Sequence, residues 1–168
     1  MKDIMILDGY NVTNALTDLR ELARTDFGAA RDRLIEMMSE YRSFRGIDVL
    51  IVFDAHMSPK AKENREKVKG VEVVFTKEKM TADRYIEKRI SELTEKRKVF
   101  VVTNDWTEQL MVMGSGAVRV SVRELQLDLA EARNKISETT YKLNREKDFL
   151  SNRIDAETLK KLEEFRRK

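Results

Sequence analysis

Residues 4–14 read IMILDGYNVTN: four apolar residues run directly into Asp8, followed by Gly9, Tyr10 and Asn11. An apolar run of strand length that ends on a carboxylate has a specific meaning in an open parallel sheet. There, ligands bind in the crevice beyond the carboxyl ends of the strands. Further apolar runs occur at 49–53 in DVLIVFDAH, 71–75 in VEVVFTKEK, 99–102 in KVFVVTNDW and, more weakly, 117–120. They are continuous rather than alternating, the mark of strands covered on both faces. Between them run helical stripes: Phe27, Ala30, Leu34, Met38, Tyr41 and Phe44, stopped by Gly46; Ala82, Ile86, Ile90 and Leu93; Val122, Leu125, Leu129, Ala132 and Ile136. A last stripe, Leu159, Leu162 and Phe165, follows a potential cap at Asp155. The pattern predicts the order β-α-β-α-β-α-β-α-β-α-α, an α/β protein in three α/β/α layers around a mostly parallel sheet. Residues 138–155 are the least regular stretch. The expected organisation is therefore one domain over 1–137, with a C-terminal helical appendage over 138–168 packed on it.

Composition narrows the chemistry. The chain has 168 residues, 41% of them hydrophobic, enough for a single real core. Lys and Arg number 33 against 30 Asp and Glu, a net +3, so any attraction to nucleic acid must come from local patches. There is no cysteine, and His56 is the single histidine. Thiolate chemistry, disulfides and imidazole-rich metal sites are thereby excluded, which leaves carboxylate chemistry. No stretch has the length of a membrane span, and Asp3 interrupts the basic-then-apolar order of a signal peptide, so a cytoplasmic protein is expected.

Carboxylates fall where the crevice is expected. Asp8 and Asp54 follow the first two strands, Asn104 and Asp105 follow the fourth, and Asp83 lies one turn into a helix that Thr81 can cap. Any one of these Asp residues alone could be a turn former or cap, and Asp54 is the weakest. Together they form a set of like charges that calls for a cation, and an all-oxygen donor set points to Mg²⁺ or Mn²⁺. Asn11 can cap the next segment or orient a metal-bound water. Tyr10 and Trp106 flank the edge, either to stack on bases or to pack at the sheet's rim. Glu87, one turn beyond Asp83, reads as a surface partner for Lys or Arg.

DGYN, VFDAH, TKEKMTAD and VVTND, in this order and spacing, resemble the NYN domain in its YacP-like branch, within the PIN-like nuclease superfamily. The resemblance covers essentially the whole chain. It implies a PIN-like α/β/α sandwich and a metal-dependent endoribonuclease, with Asp8, Asp83 and Asp105 at the family's acidic positions and Asn11, Asp54 and Asn104 in support. Relatives in bacteria are associated with mRNA decay coupled to translation, so RNA, and the ribosome as a partner, are implied. Many PIN-like enzymes carry a further acid two residues past the position of Asp105, where this chain has Thr107.

Phosphate contacts are expected from PKAKENREKVKG at 59–70, with Lys60, Lys62, Arg65, Lys67 and Lys69, and from Lys77, Lys79, Arg119 and Arg123. Arg166, Arg167 and Lys168 extend the set or complement a helix end. Two alternatives stand beside the nuclease. One is a phosphoreceiver-like signalling domain with Asp54 as acceptor, although Asp8 is followed by Gly9 where receivers want a second acid. The other is a noncatalytic RNA or ribosome adaptor.

Overall fold

The computed structural model describes residues 1–55, 63–153 and 156–167. The elements in chain order are β1 (Ile4–Asp8), α1 (Gly9–Ala15), α2 (Thr17–Thr25), α3 (Phe27–Arg45), β2 (Asp48–Phe53), β3 (Asn64–Val68) and β4 (Val71–Phe75). They continue with α4 (Ala82–Leu93), β5 (Val99–Val102), α5 (Trp106–Gly114), β6 (Val118–Val120), α6 (Val122–Arg153) and α7 (Ala156–Arg167). The chain divides into two compact units, Met1–Leu129 and Ala130–Lys168. No helix among the described residues is long and apolar enough to cross a membrane.

All six strands form one sheet in the order β3-β4-β2-β1-β5-β6, parallel except where β3 pairs antiparallel with β4. Numbered among themselves in chain order, the five parallel strands β1, β2, β4, β5 and β6 run 3-2-1-4-5. The order reverses between β1 and β5, which opens a crevice beyond their carboxyl ends. The same order removes the phosphoreceiver alternative, since a flavodoxin-like sheet runs 2-1-3-4-5.

Side-chain alternation along the strands sorts the core. Ile4, Ile6, Leu50, Val52, Val74, Val99 and Val101 cluster with Ala82, Tyr85, Ile86 and Ile90 of α4 and Val112 of α5. On the other face α1 and α3 pack on β2, and α3 also on β4. There Phe53 stacks on Phe75 at 5.4 Å and meets Phe27 edge-on at 6.1 Å. Tyr41 and Arg45 of α3 both bond to Asp128, fastening the first turns of α6 to the same layer. Gly46 ends α3 in the left-handed conformation (φ 68°), its N–H donating to the Arg42 carbonyl.

Three expectations are corrected. Among the described residues, the link between the second and third parallel strands carries β3 in place of a helix. Lys69 (φ 49°) and Gly70 (φ 83°) form the two-residue turn joining β3 to β4, with Val68 opposite Val71. The 138–155 stretch belongs to α6 as far as Arg153. Two short helices, α1 and α2, occupy the interval before α3, burying Val12, Leu16 and Leu19. Asp155 lies outside the described residues.

Candidate metal centre

The crevice at the β1/β5 switch is built by capping. Asp8 ends β1 and caps α1, its Oδ1 accepting the Asn11 N–H at 3.2 Å. The chain turns at Gly9 because nothing larger fits: a Cβ there would lie 2.3 Å from Cε1 of the fully buried Phe53 ring. Asn11 Oδ1 then accepts the Asn104 N–H at 3.1 Å, and Asn104 Oδ1 accepts the Val122 N–H at 3.1 Å. The first turn of α1, the segment after β5 and the start of α6 are thus tied by one chain of amide hydrogen bonds.

Two further devices aim the helices. Thr81 caps α4 by accepting the Arg84 N–H, and Asp54 Oδ1 accepts the Ala82 N–H at 2.9 Å, so the carboxylate after β2 holds the first turn of α4. Thr76, fully buried, closes the same corner: its backbone N–H donates to the Phe53 carbonyl, and its hydroxyl joins Ala55 and Met80. Asp105 caps α5 through Oδ1, which accepts the N–H groups of Thr107 (2.8 Å) and Glu108 (3.4 Å).

The outcome is a triad of acids. One carboxylate oxygen from each of Asp8, Asp83 and Glu108 lies within 4.8 Å of the other two. Asp83 is exposed and Asp8 partly buried, whereas Glu108 is 2% exposed. Burial pushes the Glu108 carboxyl up to about 8, reinforced by the charges of Asp8, Asp83 and Asp105. Asp8 is pushed up to about 6 by burial first and then by Asp83 and Asp54, against the backbone N–H groups of Asn11 and Tyr10. Asp83 is raised by burial and by Asp105 and Asp54, with Asp8 sharing a hydrogen bond that pulls the other way.

Glu108 is absent from the residues expected on sequence grounds, where the position two residues after Asp105 holds Thr107 in place of an acid. It lies three residues after, on the inward face of α5 that also buries Val112. Its only mark in the sequence is a spacing of four from Val112, which does not stand out in a helix whose large apolar residues Trp106, Leu110 and Met113 are exposed. Both of its carboxylate oxygens are buried without a hydrogen-bond partner. The Thr103 hydroxyl lies near enough to favour the ionised form, but it makes no properly oriented bond to it. An orphaned buried carboxylate facing two other acids is an environment that a hard divalent cation satisfies, and the donor set is all oxygen.

The basic residues divide. Lys60, Lys62 and His56 lie outside the described residues. Arg65 and Lys67 sit on β3, where Arg65 bonds to the Tyr85 hydroxyl and to Glu63. Both line a cavity of about 370 Å³ with Ile4, Asp48 and Arg97, at the amino ends of β1 and β2. Lys77 and Lys79 lie in the β4–α4 loop that leads to Asp83. Arg119 of β6 donates to the Thr103 carbonyl at 3.4 Å, and Arg123 opens α6 beside the Asn104–Val122 bond.

A 3-2-1-4-5 sheet with carboxylates gathered at its switch point is the architecture of a PIN-like, NYN-type nuclease domain. The chain belongs to the YacP-like NYN domain family, which it matches over residues 5–167. It is 40% identical over 166 residues to the uncharacterized protein YacP of Bacillus subtilis (strain 168), covering 98% of this chain and 97% of the relative. Crystal structures of Rae1 (YacP) from Bacillus subtilis superpose on it. One, of a tryptophan-to-leucine mutant, does so with a TM-score of 0.74 at 39% identity, over 86% of this chain and 85% of that one. A second structure gives 0.71 at 37% identity, over 98% and 95%.

Proposed function

We propose that the protein is a metal-dependent endoribonuclease that cleaves mRNA in a ribosome-associated context, using Mg²⁺ or Mn²⁺. The observation that carries this reading is the buried, partnerless Glu108 carboxylate beside Asp8 and Asp83. Asp8, Asp83 and Glu108 would hold the cation. A bound divalent ion lowers the pKa of a coordinated water and neutralises charge on the phosphate and leaving oxygen.

The chain's own groups do the rest. Asp105 holds Glu108 in place through the α5 cap and adds its charge to the site. Asp54 fixes the first turn of α4 and hence Asp83. Asn11 and Asn104 keep the first turn of α1 and the segment after β5 together, while Lys77, Lys79, Arg119 and Arg123 offer cations to the RNA backbone. The ribosome context is supported by the resemblance to a family associated with translation-coupled mRNA decay, and a cytoplasmic location by Asp3 interrupting a signal-peptide pattern.

A circular RNA substrate tests the reading, because only internal cleavage opens it. Wild-type protein is expected to linearise the circle with Mg²⁺ or Mn²⁺, EDTA to abolish this, and Asp8→Asn and Glu108→Gln to be inactive yet folded. Cleavage by either variant at the wild-type rate would overturn the metal-site assignment. Mapping cuts on translating against naked mRNA separates a ribosome requirement from cleavage itself. The noncatalytic adaptor predicts binding without linearisation.

A further inference from the structure

Helix α5 carries a feature that the acidic site does not use. Trp106, Leu110 and Met113 fall on one helical face at spacings of four and three, and they are 71%, 54% and 74% exposed. Trp106 is the first residue of α5, directly after the capping Asp105. Side chains in a helix lean toward its N-terminus, and the N-terminus of α5 opens on the crevice. Tyr10, 44% exposed, lies in the first turn of α1 between Gly9 and Asn11, and the 3.1 Å Asn11–Asn104 bond ties that turn to the segment leading into α5. Exposure at these values rules out packing at the sheet's rim as the role of Trp106.

We propose that Trp106, with Tyr10 beside it, is a nucleobase-stacking subsite that seats the RNA strand next to the carboxylates. The proposal rests on the nuclease reading and is continuous with that site in space. A tryptophan ring left 71% exposed beside the proposed cleavage centre suits one occupant, the bases of the strand whose backbone enters the crevice. Stacking on a ring needs no particular base, so the subsite positions the strand without imposing a sequence. Leu110 and Met113 extend the same apolar face for the next nucleotide.

Trp106 is the single tryptophan of the chain, so its own fluorescence reports contact. The test titrates the full chain in EDTA with a fluorescein-labelled single-stranded oligoribonucleotide, following anisotropy and tryptophan emission together, with a duplex of the same sequence as control. The expected result is quenching that saturates in step with anisotropy for the single strand and not for the duplex. Trp106→Ala should weaken binding by about tenfold, and Trp106→Phe should restore most of the affinity because a flat ring remains. Unchanged emission on binding, unchanged affinity in Trp106→Ala, or no binding of free RNA would each overturn the proposal. The second of these would leave the α5 face to a protein partner. Quenching without cleavage under Mg²⁺ or Mn²⁺ would sink the nuclease reading and leave the subsite standing. Cleavage with full affinity in Trp106→Ala would do the reverse.

Discussion

Glu108 holds its proton to about pH 8 and Asp8 to about pH 6 in the metal-free protein, both above the unfolded values near 4. The native state therefore binds more protons than the unfolded chain through that interval. The sign follows: the stability that these two groups contribute is full below about pH 4, falls as pH rises, and is lost above about pH 8. Metal-free protein should melt several degrees lower at pH 8.5 than at pH 5.5, and Mn²⁺ should reverse the loss at the higher pH. Glu108→Gln should raise the metal-free melting temperature at pH 8.5 and flatten the profile. A wild-type profile that rises with pH would contradict the burial of this acid. Gly9 makes a second residue-scale prediction. Its missing Cβ is required by the Phe53 ring, so Gly9→Ala should cost about 1–3 kcal/mol in chemical denaturation, although Ala favours helix elsewhere. Asp8 and Asp105 are legible from where apolar runs end, and Asp83 from the Thr81 cap that opens its helix. Glu108 is not, because a helix-buried acid looks in sequence like any other charged residue between apolar ones.

At the scale of elements, helix starts rather than strands carry the site. Asp54 is the weakest candidate from sequence, and its bond to the Ala82 N–H shows a structural role for a strand-ending Asp, that of holding the first turn of the next helix. Asp54→Ala should destabilise the fold by about 1–2 kcal/mol and raise the metal concentration needed for activity, since α4 carries Asp83. Asp105 separates cap from charge in the same way. Asp105→Asn keeps a good N-cap and should retain stability, while Asp105→Ala should lose about 1 kcal/mol. Thermal melts of the pair against activity check both. The parallel strands, α3, α4 and the start of α6 are legible because burial on both faces leaves continuous apolar runs and burial on one leaves stripes. β3 is hidden for the opposite reason: NREKV buries almost nothing, and a Lys–Gly turn lacks the usual Asn–Gly or Asp–Gly signature.

For the whole molecule, a net charge of only +3 means that position, not quantity, steers RNA. Replacing Lys77, Lys79 and Arg123 together by Gln should weaken RNA binding and flatten its salt dependence by about 0.7 for each phosphate no longer neutralised. The cation affinity of the acids should be unchanged. Binding of a labelled oligoribonucleotide across a salt series measures the RNA affinity and its slope, and an unaltered slope would mean that these cations merely solvate the surface. The two edges of the sheet have a different consequence. One is β3, charged along most of its length, and the other is β6, three residues long. Neither offers a flat apolar template to another chain, so the polarity that conceals β3 also protects crowded protein from open-ended sheet growth. Glu66→Val with Lys67→Val would leave the cluster of Asp8, Asp83 and Glu108 intact. It should nonetheless yield a protein that scatters light and forms dye-binding fibrils at concentrations where the wild type stays clear.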